Sequence, residues 1–349
     1  MDKARMQFCW IIENKSILNM RMLMGQVVIG HLTMDNIWGL SENKVQKGIP
    51  GGAAMYAACG AAIWNKEVTV VSKMGNDYVL HKPFNDNFEG RINTSCVTRV
   101  DKPSIRLNIK YDSKNEHIFE PLTGVESYSE MAPSVSEISD YIIQHNHVFH
   151  ISPLPIQHQY DIIGKIRDIE QQKKYITLDP DILDISSKNI KKWQDILTQI
   201  DVLILSRIEF EKFESLFNSV QHKHCIFKRI CTIKQLFTIK NIILKMGHQG
   251  AYLVKENGEQ YFVGTIENKY KDYTGAGDAF AGGLGYALDI GLSLERGLAY
   301  GTVASSIAMK DFGYKHMLET SQTEWQNLIN FIERDIQHEK ANIHCNKVI

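Results

Sequence analysis

The chain has 349 residues, 44% hydrophobic and 23% charged, with a formal net charge of −1 at pH 7. That length suits one large domain, or one large and one small, and the balanced charge gives no basic field for nucleic acid or an anionic membrane surface. The six cysteines are scattered with no CxxC pair, which fits reduced cytoplasmic thiols better than a disulfide framework or a zinc site.

Residues 1–24 carry Lys3 and Arg5 ahead of the short apolar run MQFCWII, which Glu13, Asn14 and Lys15 close off. The run is too short to span a bilayer and lacks a small-residue cleavage site, so it reads as an N-terminal extension, not a signal or an anchor. The domain proper is expected over 25–340, with a polar tail at 341–349. GQVVIGHL (25–32) reads as a buried strand, GGAAMYAACGAAIWN (51–65) as a helix opening on a glycine pair, and VTVVSKMG (68–75) as another strand. HVFHIS, YITLD, VLILS and IILKMG repeat the strand pattern, separated by amphipathic stretches such as 156–172. Strands alternating with helices imply crossover units and a mostly parallel sheet covered on both faces, a three-layer α/β/α domain.

Residues 96–120 break the rhythm by alternating apolar and polar around DSKN, as a hairpin with one wet face does. It stands either as an edge hairpin or as a small β lid, drawn from about 91–125. GAYLVKENGEQYFVGTI (250–266) reads as a second hairpin, and helices are expected over 276–290, 294–310 and 322–338. The histidines of HNHVFH and HKHC lack metal-ligand spacing and read as surface or satisfied residues.

DYTGAGDAFAGG (272–283) is the chemical focus. Gly275 and Gly277 permit a tight turn and close approach of a ligand to the amides, and a helix follows, so the loop forms an anion site at a helix N-terminus. A carboxylate, Asp278, is repelled there unless it handles a proton, so general base for a hydroxyl about to be phosphorylated is the economical role. Phe280 stands where a GxGxxG fingerprint needs its third glycine, and no Walker loop is present. Asp35 follows the first strand, Gly51 and Gly52 form an upstream pair, Glu209 follows the strand VLILS, and KMGHQG carries Gly247 and Gly250.

The stretch resembles the C-terminal signature of the ribokinase-like (PfkB) carbohydrate kinases, D-T-x-G-A-G-D-x-F-x-G-G, and the order of the other motifs, LDPD (178–181) included, is similar from about residue 25 to 312. The resemblance implies an ATP-dependent kinase of a small hydroxylated substrate with a β lid, Mg²⁺ as cofactor, and a monomer or homodimer; the N-terminal reading makes the cytoplasm the default location, and the balanced charge leaves nucleic acid and membrane out as expected partners. It implies that Asp278 is the catalytic base and that Gly275, Ala276 and Gly277 form the anion hole. Asp35, Gly51 and Gly52 fall at the substrate-hydroxyl site, Gly247 and Gly250 at the nucleotide turn, and Glu209 where an acidic residue organises Mg²⁺ waters. Asp272 and Thr274 fall where some relatives bind K⁺. Tyr56 replaces a common asparagine and suggests a substrate with an apolar face, such as a nucleoside or cyclitol. Ser206 replaces the asparagine of N-x-x-E. Lys245 replaces a common threonine, and either meets ATP phosphate as a point charge or snorkels from the sheet end. A catalytically weak ligand sensor on the same scaffold is the rival reading.

Overall fold

The computed structural model describes residues 25–40, 45–64, 66–79, 91–112, 117–169, 173–217, 225–267 and 269–339. The expected N-terminal extension and the tail at 341–349 lie outside them. The strands, in chain order, are β1 (Gln26–Ile29), β2 (Thr33–Trp38), β3 (Val45–Gly51), β4 (Val68–Met74), β5 (Ile92–Arg99), β6 (Leu107–Tyr111) and β7 (His117–Pro121). They continue as β8 (Val148–Ile151), β9 (Tyr175–Leu178), β10 (Val202–Ser206), β11 (Asn241–Lys245), β12 (Ala251–Val254), β13 (Gln260–Val263) and β14 (Gln337–Glu339).

Ten strands form one sheet in the order β14-β13-β12-β11-β10-β9-β8-β1-β4-β5. Neighbours from β5 to β11 run parallel, and β12, β13 and β14 add an antiparallel edge. The central strands read as unbroken apolar runs because helices cover both faces. Val28, Val70 and Ile204 face a core built with helices 53–62, 276–289, 294–308 and 322–332. Ile29, Phe149 and Leu205 face the opposite core, with helices 156–168, 190–199, 207–215 and 226–236.

A second sheet, β3-β2-β6-β7, stands apart as the lid. β2 pairs antiparallel with β3 and parallel with β6, and β6 pairs antiparallel with β7; most of the expected DSKN turn lies outside the described residues. The lid therefore differs from the sequence expectation in two ways. Residues 92–99 belong to the edge of the main sheet, and half of the lid comes from 33–51, upstream of the glycine helix. The last expected helix also stops early, at Ile332, and residues 337–339 return as β14 beside β13. Cys59, Cys96 and Cys231 are free thiols, whereas Cys225 is disulfide-bonded, which departs from uniformly reduced cysteines. No helix among the described residues is long and apolar enough to cross a membrane.

Small side chains bring the two glycine-rich segments together. A Cβ on Gly60 would overlap the backbone of Ala279, and one on Gly282 the backbone of Ala57. The helices Ala53–Ala62 and Ala276–Asp289 thus touch backbone to backbone, which sets their N-terminal ends side by side.

Candidate active site

The helix Ala276–Asp289 begins at Gly275, which adopts φ 74° and ψ 0°. Only glycine takes that conformation without strain, and here space demands it too, since a Cβ would overlap the ring of Tyr56. Ala276 N–H donates to Tyr273 C=O at 3.2 Å, so the Ala276 amide closes the turn. The first-turn amides of Gly277 and Asp278 have no intrahelical acceptor and form the positive end of the dipole. Upstream, the buried Asp272 carboxylate shapes the loop. Its Oδ1 accepts the Thr274 N–H at 3.0 Å, the Thr274 hydroxyl at 2.8 Å and the Tyr111 hydroxyl. Its Oδ2 is buried without a hydrogen-bond partner.

Beside this entrance, β9, β10 and β11 end at the crevice where open parallel sheets bind ligands. Asp179 follows β9, Ser206 and Lys245 end β10 and β11, and these two lie opposite each other in the register. The Lys245 ammonium meets Asp179 Oδ2 at 3.2 Å and Oδ1 at 3.4 Å, and donates to Gly277 C=O at 3.5 Å. Burial alone would lower the Lys245 pKa, but Asp179, Glu209 and Asp278 outweigh it and hold the lysine charged. The carboxyls feel the reverse pull. Burial pushes Asp278 up to about 6, with Lys245 opposing and Glu209 adding to the rise. Burial likewise raises Asp179 to about 6 and Glu209 to about 7, against Lys245 in both cases.

Ser206 is the N-cap of helix Arg207–Ser215. Its N–H donates to Glu209 Oε2 at 2.6 Å, and its hydroxyl accepts Glu209 N–H at 3.4 Å. That capping box fixes the Glu209 carboxylate at the crevice, so the serine orients the acidic residue. Gly247 and Gly250 flank one 3₁₀ turn between β11 and β12.

On the acceptor side, Asp35 lies within the lid strand β2 and not at the end of β1, which corrects its expected placement. It is 2% exposed, and Thr33 donates to its Oδ2 at 2.6 Å while Oδ1 has no partner. Burial lifts it to about 7, resisted by the Thr33 hydroxyl. Gly51 backs this carboxylate, a Cβ there falling 3.0 Å from Oδ2, and the Tyr78 hydroxyl holds the Gly51 carbonyl at 3.0 Å. Gly52, at φ 101°, caps helix Ala53–Ala62. Tyr56 is 2% exposed, its ring against Gly275 and edge-on to Tyr314. No ring face is open for a substrate to stack on; the buried, unpartnered hydroxyl is what Tyr56 can offer a ligand.

The structure thus gathers Asp278, Gly275, Ala276, Gly277, Glu209, Lys245, Asp272 and Thr274 around one helix entrance, and brings Asp35 in on the lid. Sequence reasoning assigned no role to Asp179, although LDPD places it at a strand end. It also missed Tyr111, which carries no local signal.

The sequence profile described as "pfkB family carbohydrate kinase" matches residues 27–321. The chain is 24% identical over 292 residues to a cytidine kinase of Thermococcus kodakarensis, covering 82% of this chain and 96% of that protein. Among solved structures, Arabidopsis thaliana ribokinase complexed with ribose and ATP superposes with a TM-score of 0.69 at 17% identity, covering 89% of this chain and 100% of that one. A putative ribokinase II from E. coli in complex with ATP and Mg²⁺ gives 0.66 at 18% identity, covering 88% and 100%. The two structural likenesses establish the fold.

Proposed function

Because the chain belongs to the pfkB family of carbohydrate kinases, phosphotransferases that act on an alcohol group, we propose that it moves the γ-phosphoryl group of ATP to a hydroxyl of a small sugar-like acceptor. The observation that carries this reading is Asp278, a carboxyl raised to about 6 in the first turn of a helix whose open amides face an incoming anion. In that role Asp278 takes the hydroxyl proton as the acceptor oxygen forms its bond to the γ-phosphorus. The bond from that phosphorus to the β–γ bridging oxygen breaks, and ADP leaves. The loop Gly275-Ala276-Gly277 supports the charge in flight, with the Gly277 and Asp278 amides as donors. Asp35, beside Gly51, Gly52 and the Tyr56 hydroxyl, accepts from acceptor hydroxyls. Lys245 contacts ATP phosphate, and Gly247 and Gly250 shape the turn along the nucleotide.

Three raised carboxyls around one ammonium describe a site short of positive charge, which suits a divalent cation arriving with ATP. Glu209, oriented by Ser206, would hold Mg²⁺ through water, and the metal would neutralise phosphate charge when bound. The unpartnered Oδ2 of Asp272, beside Thr274, fits a monovalent cation such as K⁺. A cytoplasmic location belongs to this reading, because the ATP it requires is supplied there. The lid's outer strand exposes Ile118 (43%) and Phe119 (56%), and light scattering decides between monomer and homodimer.

A nucleoside acceptor is the second reading, favoured by the likeness to a cytidine kinase over most of both chains. The test is ADP release from Mg-ATP against pooled sugars, polyols, cyclitols and nucleosides, with and without K⁺. Asp278→Asn should keep nucleotide binding while turnover falls by roughly 10² to 10⁴. An unchanged turnover removes the base assignment, and silence across all pools with ATP still bound turns the reading to a ligand sensor.

A further inference from the structure

The lid grips the loop that leads into the helix entrance through Tyr111. This residue ends β6 and pairs across the hairpin with His117, ring centroids 4.9 Å apart. Its hydroxyl donates to Asp272 Oδ1, accepts the Tyr273 N–H at 2.8 Å and lies 3.3 Å from Thr274 Oγ1. One lid hydroxyl therefore engages three consecutive residues of the core domain, directly before the left-handed turn at Gly275. Asp272 is 1% exposed, so lifting the lid would uncover a carboxylate and an N–H that otherwise hold each other's order through this hydroxyl.

Gly275 is braced from two sides. The Tyr56 ring presses on it from helix Ala53–Ala62, a brace within the core domain. The Tyr111 brace exists only while the lid is down. We propose that Tyr111 is a positioning residue for phosphoryl transfer. With the lid closed, its hydroxyl fixes residues 272–274 and so aims the Gly277 and Asp278 amides and the Asp278 carboxylate at the transferring group. The inference rests on the kinase reading above. It adds that the anion site is complete only when the lid is closed, so that ATP in an open enzyme meets an unfinished site.

Tyr111→Phe removes the hydroxyl and keeps the ring. Because the loop acts on charge that develops during transfer, kcat is expected to fall about 10-fold or more while KM for ATP and acceptor stays within about threefold. A residue that merely held the lid against substrate would raise KM instead, and that result overturns the proposal. Asp272→Asn should lower kcat similarly, and the double variant should be no worse than the poorer single one; additive losses break the proposed link. If Tyr111→Phe folds poorly, hydrogen exchange on the unaltered protein decides. The Tyr273 amide should be protected to the same degree as the β6 amides and exchange with them, whereas exchange at an open-loop rate refutes the anchor. Wild-type ADP release that Asp278→Asn abolishes tests the kinase reading separately, so the failure of one is not mistaken for failure of the other.

Discussion

Replacing Lys245 by Met removes the ammonium that lies 3.2 Å from Asp179 and that opposes burial at Asp179, Glu209 and Asp278 alike. As a scale for such a charge, one at a separation of ~5 Å is worth roughly 3 kcal/mol at an effective dielectric of about 20, or about two pKa units. Asp278 is partly open to solvent, so screening reduces this to about one unit. Its pKa, about 6 with the lysine present, should rise to about 7 without it. Only the ionised carboxylate can accept the acceptor's proton, so the acid limb of kcat/KM should move up by about one pH unit. Asp35 also sits near 7, but Lys245 is not among the groups that set it, so it forms a fixed background. The assay is ADP formation at limiting acceptor across about pH 5 to 9, with Lys245→Arg as the charge-retaining control. A limb that stays in place, or moves to lower pH, while the Arg variant matches wild type would refute the coupling between Lys245 and Asp278.

Gly275→Ala combines a left-handed φ with overlap of the Tyr56 ring. It should cut kcat by at least about 10²-fold; Tyr56→Ala in the same chain should restore part of the loss, and no restoration would mean the ring is not the obstacle. Asp35, Glu209, Asp179 and Asp278 all titrate above the ordinary carboxylate range. At these four positions the folded chain therefore holds protons that the unfolded chain has released between about pH 4 and 7, and their contribution to ligand-free stability should fall as pH rises through that window. Buried His31 and His150, held down to about 4 and about 3, push the other way, so the test is a difference: the Tm at about pH 5.5 minus the Tm at about pH 8 should be smaller in Asp35→Asn than in the unaltered protein, and an unchanged difference contradicts the burial argument for Asp35. Glu209→Gln should raise the Mg²⁺ concentration for half-maximal activity by about 10-fold. An unaltered Mg²⁺ titration would leave Glu209 as a helix cap alone.

The parts of the site that lie next to each other in the chain were legible. Gly275, Ala276, Gly277 and Asp278 form one turn, so their chemistry is written in consecutive letters. The main-sheet strands were legible because burial on both faces leaves apolar runs with no polar alternation to misread. The lid was half hidden. TMDNIW and VQKGIPG mix polar residues, glycine and proline, and nothing local says that β2 pairs with a strand some seventy residues on. Asp35 was accordingly read at the end of the first strand and not inside a second one. The same reason hid Tyr111, whose partners are more than 160 residues away, and Asp179, whose link to Lys245 spans 66. Tyr56 was found as an unusual residue but misjudged in use, because only packing reveals that Gly275 covers its ring.

The lid sheet is joined across its middle by β2 and β6, where Asn36 donates to Asn108 at 3.0 Å over a separation of 72 residues. Closing a loop of that length carries an entropic penalty that the hairpins β2–β3 and β6–β7 do not meet individually. On the folding pathway this seam should therefore form after the two hairpins, once the glycine helix and β4 have brought their bases together. The same seam should open before the ten-stranded core does, as a sub-global unit. The lid's compliance should thus be written into chain connectivity, in the seam between β2 and β6.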